Sequence, residues 1–155
     1  MKKQYQGRVV VPGTATLKAL VSHAGFNTLA SYKGCKQGKN ICTDQNNPEL
    51  YGKSTVGVAL CLPQTIGSTT GGMVLYNSAV INCNPGALLF SKPIDSLAAA
   101  GAILASVWTP NNIPTVDGLG DGFLNEVKDG MTVEIKENGF YNKCWGQVMS
   151  LTPSL

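Results

Sequence analysis

A hydroxyl-rich turn flanked by glycines is the stretch of this chain best suited to chemistry. Residues 67–72 read Gly-Ser-Thr-Thr-Gly-Gly and lie between two apolar runs, residues 55–63 and 73–80. The order strand, turn, helix places the three hydroxyls at a helix start. There, free backbone N–H groups and the helix dipole favour an anion, and glycines let a ligand approach the main chain. We predict a ligand site formed by Gly67, Ser68, Thr69, Thr70, Gly71 and Gly72.

The spacing of this turn excludes two familiar chemistries. A nucleotide-binding P-loop needs a lysine after its last glycine, and Met73 follows here. A G-x-S-x-G nucleophile elbow has one residue between the first glycine and the serine, whereas Ser68 follows Gly67 directly. A hydroxyl is a poor base unless a helix start and a nearby cation or metal-bound substrate stabilise its ionised form. The sequence offers no such cation beside the turn, so a catalytic Ser68 requires groups from another polypeptide.

The cysteines do not form a recognisable metal or disulfide pattern. They are odd in number, and none is arranged as C-x-x-C, which argues against a disulfide framework and a self-contained zinc site. Cys35 and Cys42 share a polar loop and could ligate a metal, react as thiols, or remain as reduced thiols. Cys61 and Cys83 stand in apolar surroundings and are expected in the core. We predict no metal site in this chain.

The single histidine and a glycine- and aspartate-rich stretch are both interpreted as structural and not as catalytic or metal-binding features. His23 is the single histidine, and we expect it in a loop or as a hydrogen-bonded core residue. Residues 117–122, Asp-Gly-Leu-Gly-Asp-Gly, lack the regular acidic spacing and closing glutamate of an EF-hand, so they are interpreted as turns.

Composition limits the partners and the compartment. The length of 155 residues suits one domain, residues 1–155, and only 14% of residues are charged. So few charges indicate either a surface covered by another chain or a compact, weakly charged monomer. Arg8 is the one arginine and the net charge of +3 is dispersed, which disfavours nucleic-acid binding. No apolar run is long enough for a membrane span or a signal peptide, so a cytoplasmic location is expected.

Short apolar runs separated by turns predict a mixed α/β fold. A helix is predicted over residues 73–80, and a second over residues 97–105 with Asp95 or Ser96 as its cap. The alternation of strand and helix from residue 55 to residue 116 predicts a parallel core. Strands are expected at residues 8–11, 16–21 (where a short helix is the alternative), 55–63, 86–90, 114–117 and 131–135, the last as an edge or barrel strand.

Two segments fall outside this pattern. Residues 24–54 are polar and glycine-rich, and a loop of that length inside a small domain is expected to line an opening or contact a partner. Beyond residue 139 the tail, with Trp145, either adds a strand or docks on a partner.

Several of these stretches, in this order, resemble the small, swivel-domain subunit of aconitase X. The matching residues are Pro-Glu-Leu-Tyr-Gly-Lys-Ser at 48–54, the strand ending in Pro63, Gly-Ser-Thr-Thr-Gly at 67–71 leading into Val74-Leu75, the alanine-rich helix after Asp95, and Ile-Pro-Thr-Val-Asp at 113–117. The resemblance extends from about Gly7 to Gly139.

The resemblance implies a fold, a partner and a reaction. The fold is a swivelling β/β/α domain with a barrel-like sheet and flanking helices, which closes over a large subunit that carries an iron or iron–sulfur centre. The reaction is the dehydration of a hydroxy acid, in which a serine removes a proton from carbon. Ser68 occupies the serine position, Thr69 stands where a second serine is common, and Thr70-Gly71 match.

The substrate is left open by this resemblance. The family includes enzymes for phosphomevalonate in archaea and for cis-3-hydroxyproline in bacteria. Many relatives carry an arginine between the proline and the glycine, where this chain has Gln64, Thr65 and Ile66. The resemblance therefore implies an iron-dependent hydro-lyase subunit that is inactive alone. The alternative is a non-enzymatic α/β module that binds a small carboxylate or phosphate at the same helix start.

Overall fold

The computed structural model describes residues 3–137 and 146–152, which form nine strands and four helices. The strands are β1 (Lys3–Val11), β2 (Ala15–Val21), β3 (Phe26–Asn27), β4 (Ala59–Leu62), β5 (Thr65–Ile66), β6 (Ala87–Phe90), β7 (Thr115–Asp117), β8 (Thr132–Glu137) and β9 (Gly146–Thr152). The helices are α1 (Thr28–Ser31), α2 (Gly71–Val80), α3 (Ser96–Trp108) and α4 (Asp121–Glu126).

Seven of the strands close into a barrel in the order β1-β7-β6-β4-β2-β8-β9. Strands β2, β4, β6 and β7 are parallel, and β1, β8 and β9 complete the barrel with antiparallel pairings. This confirms the predicted α/β class, the barrel-like sheet and the parallel strand–helix core. It also shows that residues 15–21 form a strand and not a helix. The remaining strands, β3 and β5, form a separate two-stranded parallel sheet.

Each central strand buries both faces, because successive side chains point to opposite sides of a sheet. In β4, Ala59 and Cys61 join an apolar cluster inside the barrel, which α4 supplies with Phe123. The alternate residues of β4, Leu60 and Leu62, pack outward under helices α2 and α3 in a second cluster. These two clusters explain why the strand sequences are continuously apolar.

Helices α2 and α3 are in close contact at two glycines. A Cβ atom on Gly72 would lie 2.2 Å from the carbonyl oxygen of Leu97, and one on Gly101 would lie 2.2 Å from the carbonyl oxygen of Gly72. Such distances are far below van der Waals contact, so both positions require glycine for the helices to pack this closely. This contact fixes the start of α2 against the first turns of α3.

The structure corrects several expectations about element boundaries. Residues 121 and 122, interpreted as turns, begin helix α4. Strand β4 covers only the second half of the run at 55–63. Helix α2 begins at Gly71 instead of residue 73, and α3 extends to Trp108. The tail contributes strand β9, as one of its two predicted roles requires, while Trp145 lies outside the described residues.

Histidine and cysteine positions largely follow expectation. His23 is an exposed loop residue whose Nδ1 lies 2.9 Å from Oε1 of Glu49. Cys61 and Cys83 are fully buried, as predicted. In the part of the chain described, no helix has the length and apolar character needed to cross a membrane.

Candidate functional site

The predicted turn lies where strand β4 leaves the barrel. The carboxyl ends of parallel strands meet at one edge of a sheet, and in open α/β sheets this edge is where ligands bind. Here β5 follows β4 and pairs with β3, with Asn27 opposite Ile66. Gly67 then turns the chain with φ of +102°, and a Cβ atom there would lie 2.7 Å from Nδ2 of Asn27. Both the left-handed conformation and the close approach favour glycine at position 67.

Ser68 is exposed and its hydroxyl has defined neighbours. The Oγ atom accepts a hydrogen bond from the Thr70 backbone amide at 3.2 Å. It also lies 2.8 Å from Oγ1 of Thr70, where either hydroxyl can donate. The Ser68 carbonyl accepts a further bond from the Gly71 amide at 3.0 Å. These contacts hold the serine oxygen at the start of α2, where the helix dipole stabilises negative charge.

The turn leaves some backbone donors unused. Thr70 precedes the first helical residue, but its side chain makes no capping hydrogen bond to α2. The amides of Thr70 and Gly71 are bonded to Ser68, as described above. Within residues 3–137 and 146–152, the amides of Gly67, Ser68, Thr69 and Gly72 have no hydrogen-bond partner. These four amides are therefore the donors of the predicted set that a ligand could engage directly.

A pocket of about 240 Å³ opens beside the turn. Four of the six predicted site residues line it, namely Gly67, Ser68, Gly71 and Gly72. Thr69 and Thr70 belong to the same turn and are exposed, but they do not line the pocket. The other lining residues come from three neighbouring elements: Thr28, Thr65, Ile66, Asp95, Leu97 and Ala98.

Asp95 supplies the charge at this pocket. Its Oδ1 accepts hydrogen bonds from the amides of Leu97 and Ala98, both at 2.9 Å, and so caps α3. Its Oδ2 accepts a short hydrogen bond from the hydroxyl of Thr65. Partial burial by itself would raise the pKa of Asp95, but the bonds from Thr65 and the two amides lower it below the ordinary 3.8. The pocket wall therefore carries an ionised carboxylate at neutral pH.

An ion pair between the exposed Arg8 side chain and the buried Asp117 carboxylate positions the loop that carries Asp95. Arg8 binds Asp117 through two hydrogen bonds, Nε to Oδ1 at 2.9 Å and Nη2 to Oδ2 at 2.5 Å. Asp117 is 1% exposed and also accepts a bond from the Ile94 amide at 2.8 Å. The carboxylate thus joins β1 and β7 to the residue next to Asp95. The strand predicted at residues 114–117 included Asp117, but neither that prediction nor the interpretation of residues 117–122 as turns identified this role.

The site residues do not suit an iron centre held by this chain. The pocket lining contains one carboxylate and neither thiol nor imidazole, whereas iron and iron–sulfur centres are held mainly by thiolate, imidazole and carboxylate groups. No group of three His, Cys, Asp or Glu side chains that could hold a metal occurs among the described residues.

Sequence reasoning missed three lining residues with polar side chains. Asp95 was predicted only as a helix cap, although its place after a parallel strand was a signal that it would share an edge with Ser68. Thr65 lies in a strand of two residues, too short to show a period. Thr28 comes from the segment 24–54, which was expected to line an opening, and this contact confirms that expectation for one residue.

Comparison with known proteins identifies the family. A profile described as the aconitase X swivel domain matches residues 4–142. The phosphomevalonate dehydratase small subunit of Thermococcus onnurineus is 30% identical over 131 residues, which cover 84% of this chain and 90% of that protein. The protein of the same name from Methanothermobacter thermautotrophicus is 31% identical over 128 residues, covering 83% and 89%. The crystal structure of Thermococcus kodakaraensis aconitase X in its holo-form matches 97% of this chain and 99% of that chain, with a TM-score of 0.78 and 26% identity. This chain belongs to the aconitase X swivel domain family.

Proposed function

We propose that this chain is the small subunit of a phosphomevalonate dehydratase, in which Ser68 removes a proton from carbon as water is eliminated. One observation carries the proposal: relatives named as such small subunits align with about nine-tenths of their own length. The exposed hydroxyl of Ser68 at the mouth of a pocket supports it, because a base must reach the substrate.

The surroundings of Ser68 favour its action as a base. The amide of Thr70 donates to its Oγ, and the adjacent Thr70 hydroxyl can donate a second bond. Both bonds, together with the start of α2, stabilise negative charge on the serine oxygen. When the oxygen accepts a proton from the substrate carbon, the same groups keep the resulting hydroxyl in place. Thr70 is thus a positioning residue for Ser68.

The glycines and the unused amides bind the substrate. Gly67, Gly71 and Gly72 let a substrate approach the main chain, and the unused amides of Gly67, Ser68, Thr69 and Gly72 can donate to its oxygen atoms. The pocket lining contains the Asp95 carboxylate and no basic side chain. Neutralisation of a phosphate or carboxylate group therefore falls mainly to residues of a partner chain.

A large catalytic subunit completes the site. The pocket of about 240 Å³ is smaller than the roughly 300–1,000 Å³ of typical ligand sites, and its lining holds no histidine, lysine or thiol. Exposed apolar side chains stand at the pocket or next to its lining residues, and these are Leu29, Ile66, Met73 and Leu97. We assign this apolar rim to the contact with the large subunit. The iron or iron–sulfur centre belongs to that subunit, and this chain is inactive alone.

Reconstitution with the large subunit tests the proposal. The two chains are co-expressed, the complex is purified with its iron, and water loss from phosphomevalonate is followed by mass spectrometry. Ser68→Ala should co-purify normally and lower kcat by about 10²–10⁴-fold, the usual effect of losing a general base. Ser96→Ala is the matched control, because Ser96 is also an exposed serine at a helix start but does not line the pocket.

Different outcomes of this experiment test the role of Ser68, the identity of the substrate and the need for a large subunit. Near-normal turnover by the Ser68→Ala complex would remove Ser68 from the mechanism. Turnover of another hydroxy acid, such as cis-3-hydroxyproline, in place of phosphomevalonate would refute the substrate and retain the reaction. Failure of the two chains to form a complex, with binding of inorganic phosphate by this chain alone, would favour a non-enzymatic binding module.

A further inference from the structure

An exposed arginine is held at the same edge of the barrel as the Ser68 turn. Arg8 on β1 lies opposite Asp117, the last residue of β7. Strands β4, β6 and β7 are neighbours and run parallel, so their carboxyl ends meet at one edge, and the turn follows β4 there. Oδ2 of Asp117 accepts hydrogen bonds from both Nη2 of Arg8 and the amide of Ile94. Arg8 therefore lies next to the segment that leads into Asp95, which lines the pocket.

The Asp117 carboxylate fixes the guanidinium of Arg8 in one orientation. The Asp117 side chain is 1% exposed and the Arg8 side chain is 66% exposed. The pair uses one N–H group on Nε and one on Nη2. A guanidinium has five N–H groups, so two on Nη1 and one on Nη2 remain. Within residues 3–137 and 146–152, these three have no acceptor.

The remaining N–H groups of Arg8 are arranged to hold a second oxyanion. One edge of the guanidinium, formed by Nε and Nη2, is occupied by Asp117. The edge formed by Nη1 and Nη2 is the other pair of parallel donors, and such a pair binds two oxygens of a carboxylate or phosphate at once. The guanidinium is always charged and is already positioned, so binding orders no long, mobile side chain.

We propose that Arg8 binds the phosphate group of the substrate, and so selects phosphorylated hydroxy acids. This inference rests on the proposed function, because it places one end of phosphomevalonate beside the pocket. Arg8 is then the contribution of this chain to neutralising the phosphate, and residues of the large subunit supply the rest. Asp117 acts through Arg8 and is a positioning residue.

The chemistry of the substrate decides which of its two acid groups reaches Arg8. Phosphomevalonate has a carboxylate at one end of its carbon chain and a phosphate at the other. A proton is removed most easily from carbon next to a carboxyl group, so the carboxylate end lies at Ser68, where the amides at the start of α2 can bind it. The phosphate end then points away from the turn. Arg8 suits this end, because it is outside the pocket lining but adjacent to the wall that carries Asp95.

Ligand binding to an inactive complex tests Arg8 separately from the reaction. This chain with Ser68→Ala is reconstituted with the large subunit, and the Kd of phosphomevalonate is measured by isothermal titration calorimetry. Adding Arg8→Lys keeps a charged partner for Asp117 but removes the paired donors, so the Kd should rise by about 10-fold or more. Mevalonate, which lacks the phosphate, should bind equally well with either residue at position 8.

Two further variants control for stability and for charge. Because Asp117 is buried, a variant that leaves it unpaired can lose stability. The double change Arg8→Gln with Asp117→Asn removes both charges together, and it should raise the Kd of phosphomevalonate by about 10–100-fold. Lys18→Gln is the matched control, because it removes an exposed positive charge whose Nζ bonds to Thr132 on the barrel wall. It should leave both Kd values unchanged.

The results distinguish failure of this inference from failure of the proposed function. An unchanged Kd of phosphomevalonate in Arg8→Lys would overturn the inference, while turnover by the wild-type complex would retain the function. Equal loss of affinity for mevalonate would assign Arg8 a purely structural role. Loss of complex formation by Arg8 variants that circular dichroism shows to be folded would place an acidic group of the large subunit on Arg8 instead. Tight binding that depends on Arg8, without turnover by the wild-type complex, would refute the dehydratase function and support the phosphate site.

Discussion

The glycine contact between α2 and α3 leads to a sharp prediction about the start of the site helix. In Gly72→Ala, the new Cβ would lie 2.2 Å from the Leu97 carbonyl oxygen, and ordinary contact begins at 3.4 Å. Since the obstacle is backbone, α2 and α3 must separate by roughly an ångström. Overpacking of this kind typically costs about 1–3 kcal/mol.

A second glycine allows the packing cost to be isolated. Alanine is favoured over glycine in a helix by about 1 kcal/mol, and it also restricts the unfolded chain. Gly122 is in helix α4, and a Cβ atom there would meet nothing within 4 Å. Gly122→Ala therefore shows the propensity gain without the clash. We expect its Tm to be unchanged or higher, and the Tm of Gly72→Ala to lie about 2–12 °C below it.

Thermal unfolding by circular dichroism measures this difference, and Gly101→Ala extends it. Gly101 meets Gly72 from the other helix and does not line the pocket, so the same loss of stability there would reflect packing alone. The double variant should cost less than the sum of the two, because one separation of the helices relieves both clashes. If Gly72→Ala matched Gly122→Ala in Tm, the argument that close helix packing requires glycine at position 72 would be wrong.

Two further predictions concern titrating side chains. Asp95→Ala should lower the free energy of unfolding at neutral pH by about 0.5–2 kcal/mol, because α3 loses its cap. The pKa of Asp95 is lowered in the folded state, so the difference in unfolding free energy between wild type and variant should shrink as the pH falls through and below 3.8. Urea unfolding at a series of pH values measures this difference. The pKa of Tyr5 is raised to about 12, chiefly by burial and also by its hydrogen bond to Glu126. The stabilising contribution of Tyr5 is therefore present below pH 10 and lost as the pH rises toward 12. The free energy of unfolding of Tyr5→Phe should accordingly decrease less than that of wild type between pH 10 and pH 12. An equal decrease in both proteins would contradict this prediction.

The parallel core was predictable because each of its elements is long enough to show its pattern. The central strands are bounded apolar runs, α3 is rich in alanine, and Asp95 is of the residue type that caps helices. The placement of Ser68 near a helix start follows from the same reasoning.

The elements and contacts that the sequence did not predict are of two kinds. Some elements are too short to show a periodic pattern, and some contacts join residues far apart in the sequence. Strands β3 and β5 have two residues each, so neither can show an alternation. Helix α4 starts after Gly120 and has no side-chain cap, so nothing in the sequence distinguishes it from a turn. The burial of Asp117 depends on Arg8, which is 109 residues away along the chain. Such residues are brought together only by the closure of the barrel, so a local sequence pattern does not indicate that they pair.

The distribution of charge around Ser68 bears on whether another chain covers it. No charged residue occurs from Pro63 to Ser91, a stretch that contains the site turn, all of α2 and the exposed side chains of Ile66 and Met73. A helix that remains exposed to water can carry charged residues at little cost. A helix face that a partner covers cannot, because each charge removed from water must be paired or it destabilises the complex. Asp95 is the exception at the pocket, and its bonds to Thr65 and the α3 amides already satisfy it. The face that presents Ser68 can therefore be buried against a large subunit without leaving an unpaired charge.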